Sequence, residues 1–154
     1  SGSLRLTGME ARTSVALDRA GQRQVTISMQ SAGVAPQREP DRVFLNLENV
    51  RGVNDATAFS VYINVPDGED PARHPELKAG DVALFGVRNA SLKDGKHAGD
   101  GLTFVLEITD VIDRLHLSGA LSADQLHVRL VPRNPVPDEA QISIGRISVY
   151  RQPA

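Results

Sequence analysis

Apolar side chains recur at every second position in one short stretch after another, and this period of two restricts the fold more than any other feature of the chain. A strand sends successive side chains to opposite faces, so such alternation describes ribbons with one buried and one wet face. Thr13–Leu17 and Val25–Met29 both alternate, and the segment between them carries Gly21, which predicts a hairpin. Arg42–Val50 sets Val43, Leu45 and Leu47 on one side and Phe44, Asn46 and Glu48 on the other. Ala58–Val65 groups Phe59, Val61, Ile63 and Val65, and Leu102–Ile108 groups Leu102, Phe104, Leu106 and Ile108. Asp81–Val87, Leu126–Val131 and Ala140–Tyr150 are further strands. In the last of these the apolar phase slips between Ile144 and Ile147, predicting a bulge at Gly145–Arg146.

Punctuation separates the strands. The segment from Pro66 to Gly80 carries Pro66, Gly68, Pro71 and Pro75, and reads as a long loop of the kind that often carries function. Gly33–Pro40 and Lys93–Gly101 read as two more loops. Thr109–Leu115 breaks the alternation, and Thr109 or Asp110 is placed to cap a helical turn that turns Val111, Ile112 and Leu115 inward. Short strands with turn signals and almost no helix define an all-β sandwich or barrel. The 154 residues suit one domain, residues 4–154, with Ser1–Ser3 reading as an expression-vector remnant. A chain of this size buries a core without staples, and its 40% apolar content is enough to build one.

The chemistry-bearing residues are sparse. Without cysteine there is no disulfide, thiolate metal site or thiol nucleophile. His74, His97, His116 and His127 are scattered, with no i, i+2 or i, i+4 pair, and each reads as a surface histidine; a site joining His74 and His97 has only composition behind it. Asp67, Glu69 and Asp70 form an acidic cluster, with Asp94 and Asp100 further on, but their spacing is not that of an EF-hand loop. No G-x-S-x-G elbow, G-x-x-x-x-G-K-[ST] loop or G-x-G-x-x-G turn occurs. A formal net charge of −2 without a basic stripe argues against nucleic acid. No apolar run approaches the ~18 residues that span a bilayer. The absence of tryptophan, with 4% aromatic residues, weighs against a sugar platform. By chemistry alone the chain is a β-domain with no assembled catalytic set.

Several stretches, in order, resemble the C-terminal domain of the tyrosinase and polyphenol oxidase family of type-3 dicopper enzymes. Val43–Val50 (VFLNLENV) resembles the opening "(V/L)L-x-(I/L)E-x-(I/V)" strand, and Ala58–Asn64 (AFSVYIN) resembles the K-F-D-V-(Y/F)-(I/V)-N signature. Ala79–Gly86 (AGDVALFG) resembles the strand that begins "AGS" and runs into "LFG", and Leu106–Val111 (LEITDV) resembles "L-x-ITE-(L/V)". Val128–Arg133 (VRLVPR) and Ile142–Ile147 (ISIGRI) resemble "VTLVPR" and "V-x-IGGI". The likeness covers residues 40–150. At Ala58 and Ser60 the signature's lysine and aspartate are missing, so any role of that charged pair lapses here.

The resemblance implies a jelly-roll-like antiparallel β-sandwich of about seven to nine strands. It also implies a non-catalytic shielding or regulatory domain, which covers the dicopper entrance of an oxidase domain in the same parent chain. The two copper ions would belong to that other domain, and none to this one. No nucleic acid or membrane partner is implied, and the compartment is left open. Phe44 and Tyr62, out of phase with the inward residues of their strands, are expected on part of the contact surface, a second packed face being the equally plain reading. Leu77 and Leu92, each in a loop, are the candidate plug residues. The alternative is a free-standing binding module for calcium, carbohydrate or a protein ligand.

Overall fold

The computed structural model describes residues 3–16, 42–52, 58–84, 91, 101–119 and 125–152. These contain eight strands: β1 (Leu4–Leu6), β2 (Ala11–Ala16), β3 (Arg42–Arg51), β4 (Ala58–Ile63), β5 (Lys78–Ala83), β6 (Leu102–Glu107), β7 (Gln125–Pro132) and β8 (Ile142–Gln152). One helix, α1 (Thr109–Leu117), joins β6 to β7. The strands form two four-stranded sheets of order β1-β8-β3-β6 and β2-β7-β4-β5, antiparallel throughout. Strand 1 pairs with 8, 2 with 7, 3 with 6 and 4 with 5, so the chain crosses from sheet to sheet as a jelly roll does. The expected all-β sandwich is therefore the fold.

The alternation seen in sequence is the alternation of burial. Val43, Leu45 and Leu47 of β3, Phe59, Val61 and Ile63 of β4, Leu126, Val128 and Leu130 of β7, and Ile142, Ile144 and Ile147 of β8 fill the space between the sheets. Gly80 of β5 faces Leu106 of β6 across this space: a Cβ there would stand 3.0 Å from a Leu106 methyl, so the missing side chain sets how closely the sheets approach. One end of the sandwich is closed by α1, whose Val111, Ile112 and Leu115 are buried, and by Leu77.

The bulge falls elsewhere than predicted. The pairing of β3 with β8 runs unbroken past Gly145, with Leu47 opposite Ile147 and Val50 opposite Ile144. The shift lies between β3 and β6, from Leu47 to Val50, where Asn49 takes φ 55°. Inward phase changes in both partners together, and Gly145 is required because a Cβ would come 2.8 Å from that of Asn49. A second difference concerns the helix start. Thr109 does not cap α1; its hydroxyl oxygen accepts from Val43 N–H at 2.9 Å, and Ile108 N–H donates to Val43 O at 2.8 Å, tying the helix entrance to β3. The predicted strand at Val25–Met29 and the loops at 33–40 and 93–100 lie outside the described residues.

Candidate functional site

Phe44 and Tyr62 are both only partly buried and both alternate with inward-facing neighbours, but they stand on strands of different sheets. The outer faces of two packed sheets point away from each other. The pair therefore does not make one contact surface, and the two must be considered separately.

Around Phe44, the ladder brings Tyr150 of β8 and Glu107 of β6 into the same row, with Asn46 and Val105 in the next. The Phe44 and Tyr150 rings lie with centroids 6.3 Å apart at 33°. The Arg42 guanidinium sits 5.3 Å over the Phe44 ring and holds Glu107 through contacts of 2.7–3.2 Å. Val105 and Tyr150 are 59% and 54% exposed. Arg146 and Glu48, 3.6 Å apart, flank the far side. Phe44, Tyr150 and Val105 thus stand around the polar Asn46 and Ser148, with an opposite-charge pair on either side. Sequence reasoning singled out Phe44 and passed over its neighbours Tyr150 and Val105. The signal was present as the outward phase of β6 and β8, read only after strand order is known.

Tyr62 packs against the core cluster, between the cross-strand partners Arg129 and Lys78. Arg129 is the unexpected residue of this sheet. It occupies an outward position of β7 yet is 4% exposed, because the connection that follows β4 folds over it. Its guanidinium donates to the carbonyl oxygens of Val65 (3.2 Å), Pro66 (2.9 Å) and Glu69 (2.9 Å). Glu10 and Asp67 carboxylates lie 3.6 and 3.9 Å away. A planar fork of donors suits such a set of carbonyls better than a lysine ammonium would. A cleft of ≈ 400 Å³ runs beside it, lined by Arg12, Ser14, Asn64, Asp67 and His127 among others.

The predicted long loop is thus largely ordered by local rules. Pro71 and Pro75 each open a 3₁₀ turn, Pro71–Arg73 and Pro75–Leu77, and β5 begins at once with Lys78. Asp70 accepts from Ala72 N–H at 3.0 Å as the cap of the first turn. Leu77 closes the second 3₁₀ turn at 8% exposure and belongs to the core, so it is turned inward rather than offered as a plug. Leu92 lies outside the described residues. The Asp67–Asp70 acids are engaged with Arg12, Arg129, His74 and the Ala72 amide. Where the signature's aspartate would stand, Ser60 donates to Asp81 Oδ1 at 2.6 Å, and Lys78 pairs with Asp81 at 2.8 Å. The ammonium of Lys78 and then the Ser60 hydroxyl hold the Asp81 carboxyl below its ordinary range.

Among the described residues no three histidine or carboxylate side chains converge on a point that could hold a metal ion. A dicopper centre, which needs clustered imidazoles, does not fit them. Among the described residues no helix is long and apolar enough to cross a membrane.

Comparison with known proteins agrees with the motifs. The chain is 29% identical over 111 residues to a tyrosinase of Hahella sp. (strain CCB-MM4), a match that spans 72% of this chain and 23% of that protein. Its fold matches part of a latent aurone synthase, a polyphenol oxidase, with TM-score 0.62 at 15% identity, covering 99% of this chain and 26% of the other. It matches part of a latent apple tyrosinase with TM-score 0.60 at 20% identity, covering 96% and 27%. The chain thus spans about a quarter of the length of these relatives, a share that fits the C-terminal domain its motifs resemble. The profile of one family, described as a domain of unknown function (DUF7868), matches residues 1–152, and the chain belongs to that family.

Proposed function

We propose that this chain is the shielding domain of a tyrosinase-like copper oxidase, lying over the dicopper entrance of an oxidase domain in the same parent chain. The observation that carries the reading is the likeness to a tyrosinase over most of this chain but under a quarter of that enzyme. The phenol chemistry then belongs to the remaining part, and this domain contributes a rigid cover. A jelly-roll sandwich suits that task, since its core is continuous and the β1-β8-β3-β6 sheet turns exposed side chains such as Val105 and Tyr150 outward.

The docking face in this reading is the outer side of the β1-β8-β3-β6 sheet, centred on Phe44, Tyr150 and Val105. Inter-domain faces within one chain bury about 600–1,500 Å², and aromatic side chains at the centre of such faces carry most of the energy. Tyr62 serves the packing of its own sheet instead. With Leu77 turned into the core, Leu92 is the remaining plug candidate. The test is the isolated domain supplied with copper and a diphenol. No turnover is expected, and oxidation above the free-copper rate would overturn the assignment of the chemistry to another domain.

A further inference from the structure

His74 stands where a neutral imidazole is poorly matched to its surroundings. Its Nδ1 lies 3.0 Å from Glu76 Oε1 and its Nε2 lies 3.3 Å from Glu69 Oε1. A neutral ring has one N–H and one lone pair, so one of the two carboxylates would meet a lone pair. An imidazolium donates to both. Glu69 precedes the first proline turn and Glu76 lies in the second, so the ring straps the span from 69 to 76 across its middle.

Both ends of that span are fixed. Arg129 holds the carbonyl of Glu69, and Leu77 is seated in the core. Between them the backbone contacts are the single turns Arg73 N–H to Asp70 O, His74 N–H to Pro71 O and Leu77 N–H to His74 O. Among the described residues the charges acting on the ring are Glu76 and Glu69; Arg114 of α1 acts on Glu76 from the side, and Arg129 approaches Glu69 through its carbonyl.

We propose that His74 is a proton-operated latch on the connection between β4 and β5: protonated, it ties Glu69 to Glu76 and holds the two proline turns; neutral, it releases one carboxylate and the span loosens. Hydrogen bonding to Glu76 is the main reason that the ring keeps its proton above the ordinary histidine range. Partial desolvation opposes this, and Glu69 adds to it. Histidine is the side chain whose charge changes near neutral pH, so the latch works where the protein is folded and its carboxylates are ionised. The device belongs to the sandwich itself and does not depend on the oxidase reading.

The experiment is an NMR titration of the His74 ring in the intact chain, from about pH 5.5 to about pH 8.5, with amide exchange measured at Arg73, His74 and Leu77. The expected midpoint lies above the ordinary 6.5. Protection of the three amides should fall through that midpoint, by about tenfold for every pH unit by which it exceeds that of the released ring. Glu76→Gln should move the midpoint back toward 6.5 and flatten the change in protection, with the amides of β3 and β8 unaffected. A His74 midpoint at or below 6.5, or protection independent of pH in the unaltered chain, overturns the proposal.

Discussion

Replacing Arg129 by methionine separates two accounts of what holds the loop over the β2-β7-β4-β5 sheet. The methionine keeps the apolar stem and removes the guanidinium, whose donors reach the carbonyls of Val65, Pro66 and Glu69. Hydrogen bonds to a charged group contribute about 1.5–3 kcal/mol each. Pro66 and Glu69 are exposed residues whose carbonyls regain water when the loop shifts, whereas Val65 is buried. One full loss and two partial ones, less the desolvation that the arginine no longer suffers, give about 2–4 kcal/mol. At this chain length that is a fall in Tm of about 4–16 °C. Arg129→Lys keeps the charge but not the fork, and should lose about half as much. Glu10→Gln and Asp67→Asn, whose oxygens lie 3.6 and 3.9 Å from the guanidinium, should each cost under about 1 kcal/mol. Urea unfolding followed by circular dichroism measures all four. If Arg129→Met stays within about 1 kcal/mol of the parent, or Arg129→Lys equals it, the carbonyl set is not what holds the loop.

Gly101→Ala should destabilise by about 2 kcal/mol or more, because φ is +82° and a Cβ would run into the Val50 carbonyl oxygen. Gly119→Ala, at φ +73° with open space around it, should cost only about 1 kcal/mol in the same urea assay. Stability should also depend on pH in two windows. The raised affinity of His74 for protons stabilises fully below 6.5, and that contribution is lost as pH rises through its folded midpoint; His74→Gln abolishes the upper slope. The depressed Asp81 and Glu76 carboxyls stabilise above 3.8 and 4.5, and their contribution disappears as pH falls through their folded midpoints. Tyr150→Ser, on a side chain 54% exposed, should leave Tm within a few degrees while weakening binding to the oxidase portion at least about tenfold by calorimetry.

How much of this was legible beforehand depended on whether the information was local. Alternation in β3, β4, β6, β7 and β8 is a property of neighbouring residues, so the strands and inward faces could be read directly. β1 is three residues long, too short to show a period, and it exists because Leu4–Leu6 pairs with Ile142–Ile144 of β8. Placing the bulge required knowing that β3 lies between β8 and β6, since Gly145 only makes room for Asn49. Arg129 gave no signal either: in sequence it is an outward charge in an alternating strand, and only the return of residues 65–69 over it turns it into a buried anchor. Likewise His74 looked like a surface histidine until Glu69 and Glu76 were found at its two nitrogens. The histidine that mattered for the loop was visible as a residue, but its carboxylate partners could be assigned only from the fold.

In the proposed function this domain covers the dicopper entrance of a tyrosinase-like enzyme. Its most direct test adds the purified domain to the separately produced oxidase portion of the parent chain and follows diphenol oxidation. Saturable inhibition is expected, competitive with bulky phenols and lost on combining Phe44→Ser with Tyr150→Ser. Undiminished oxidation at saturating domain, or inhibition untouched by that pair of changes, would contradict it.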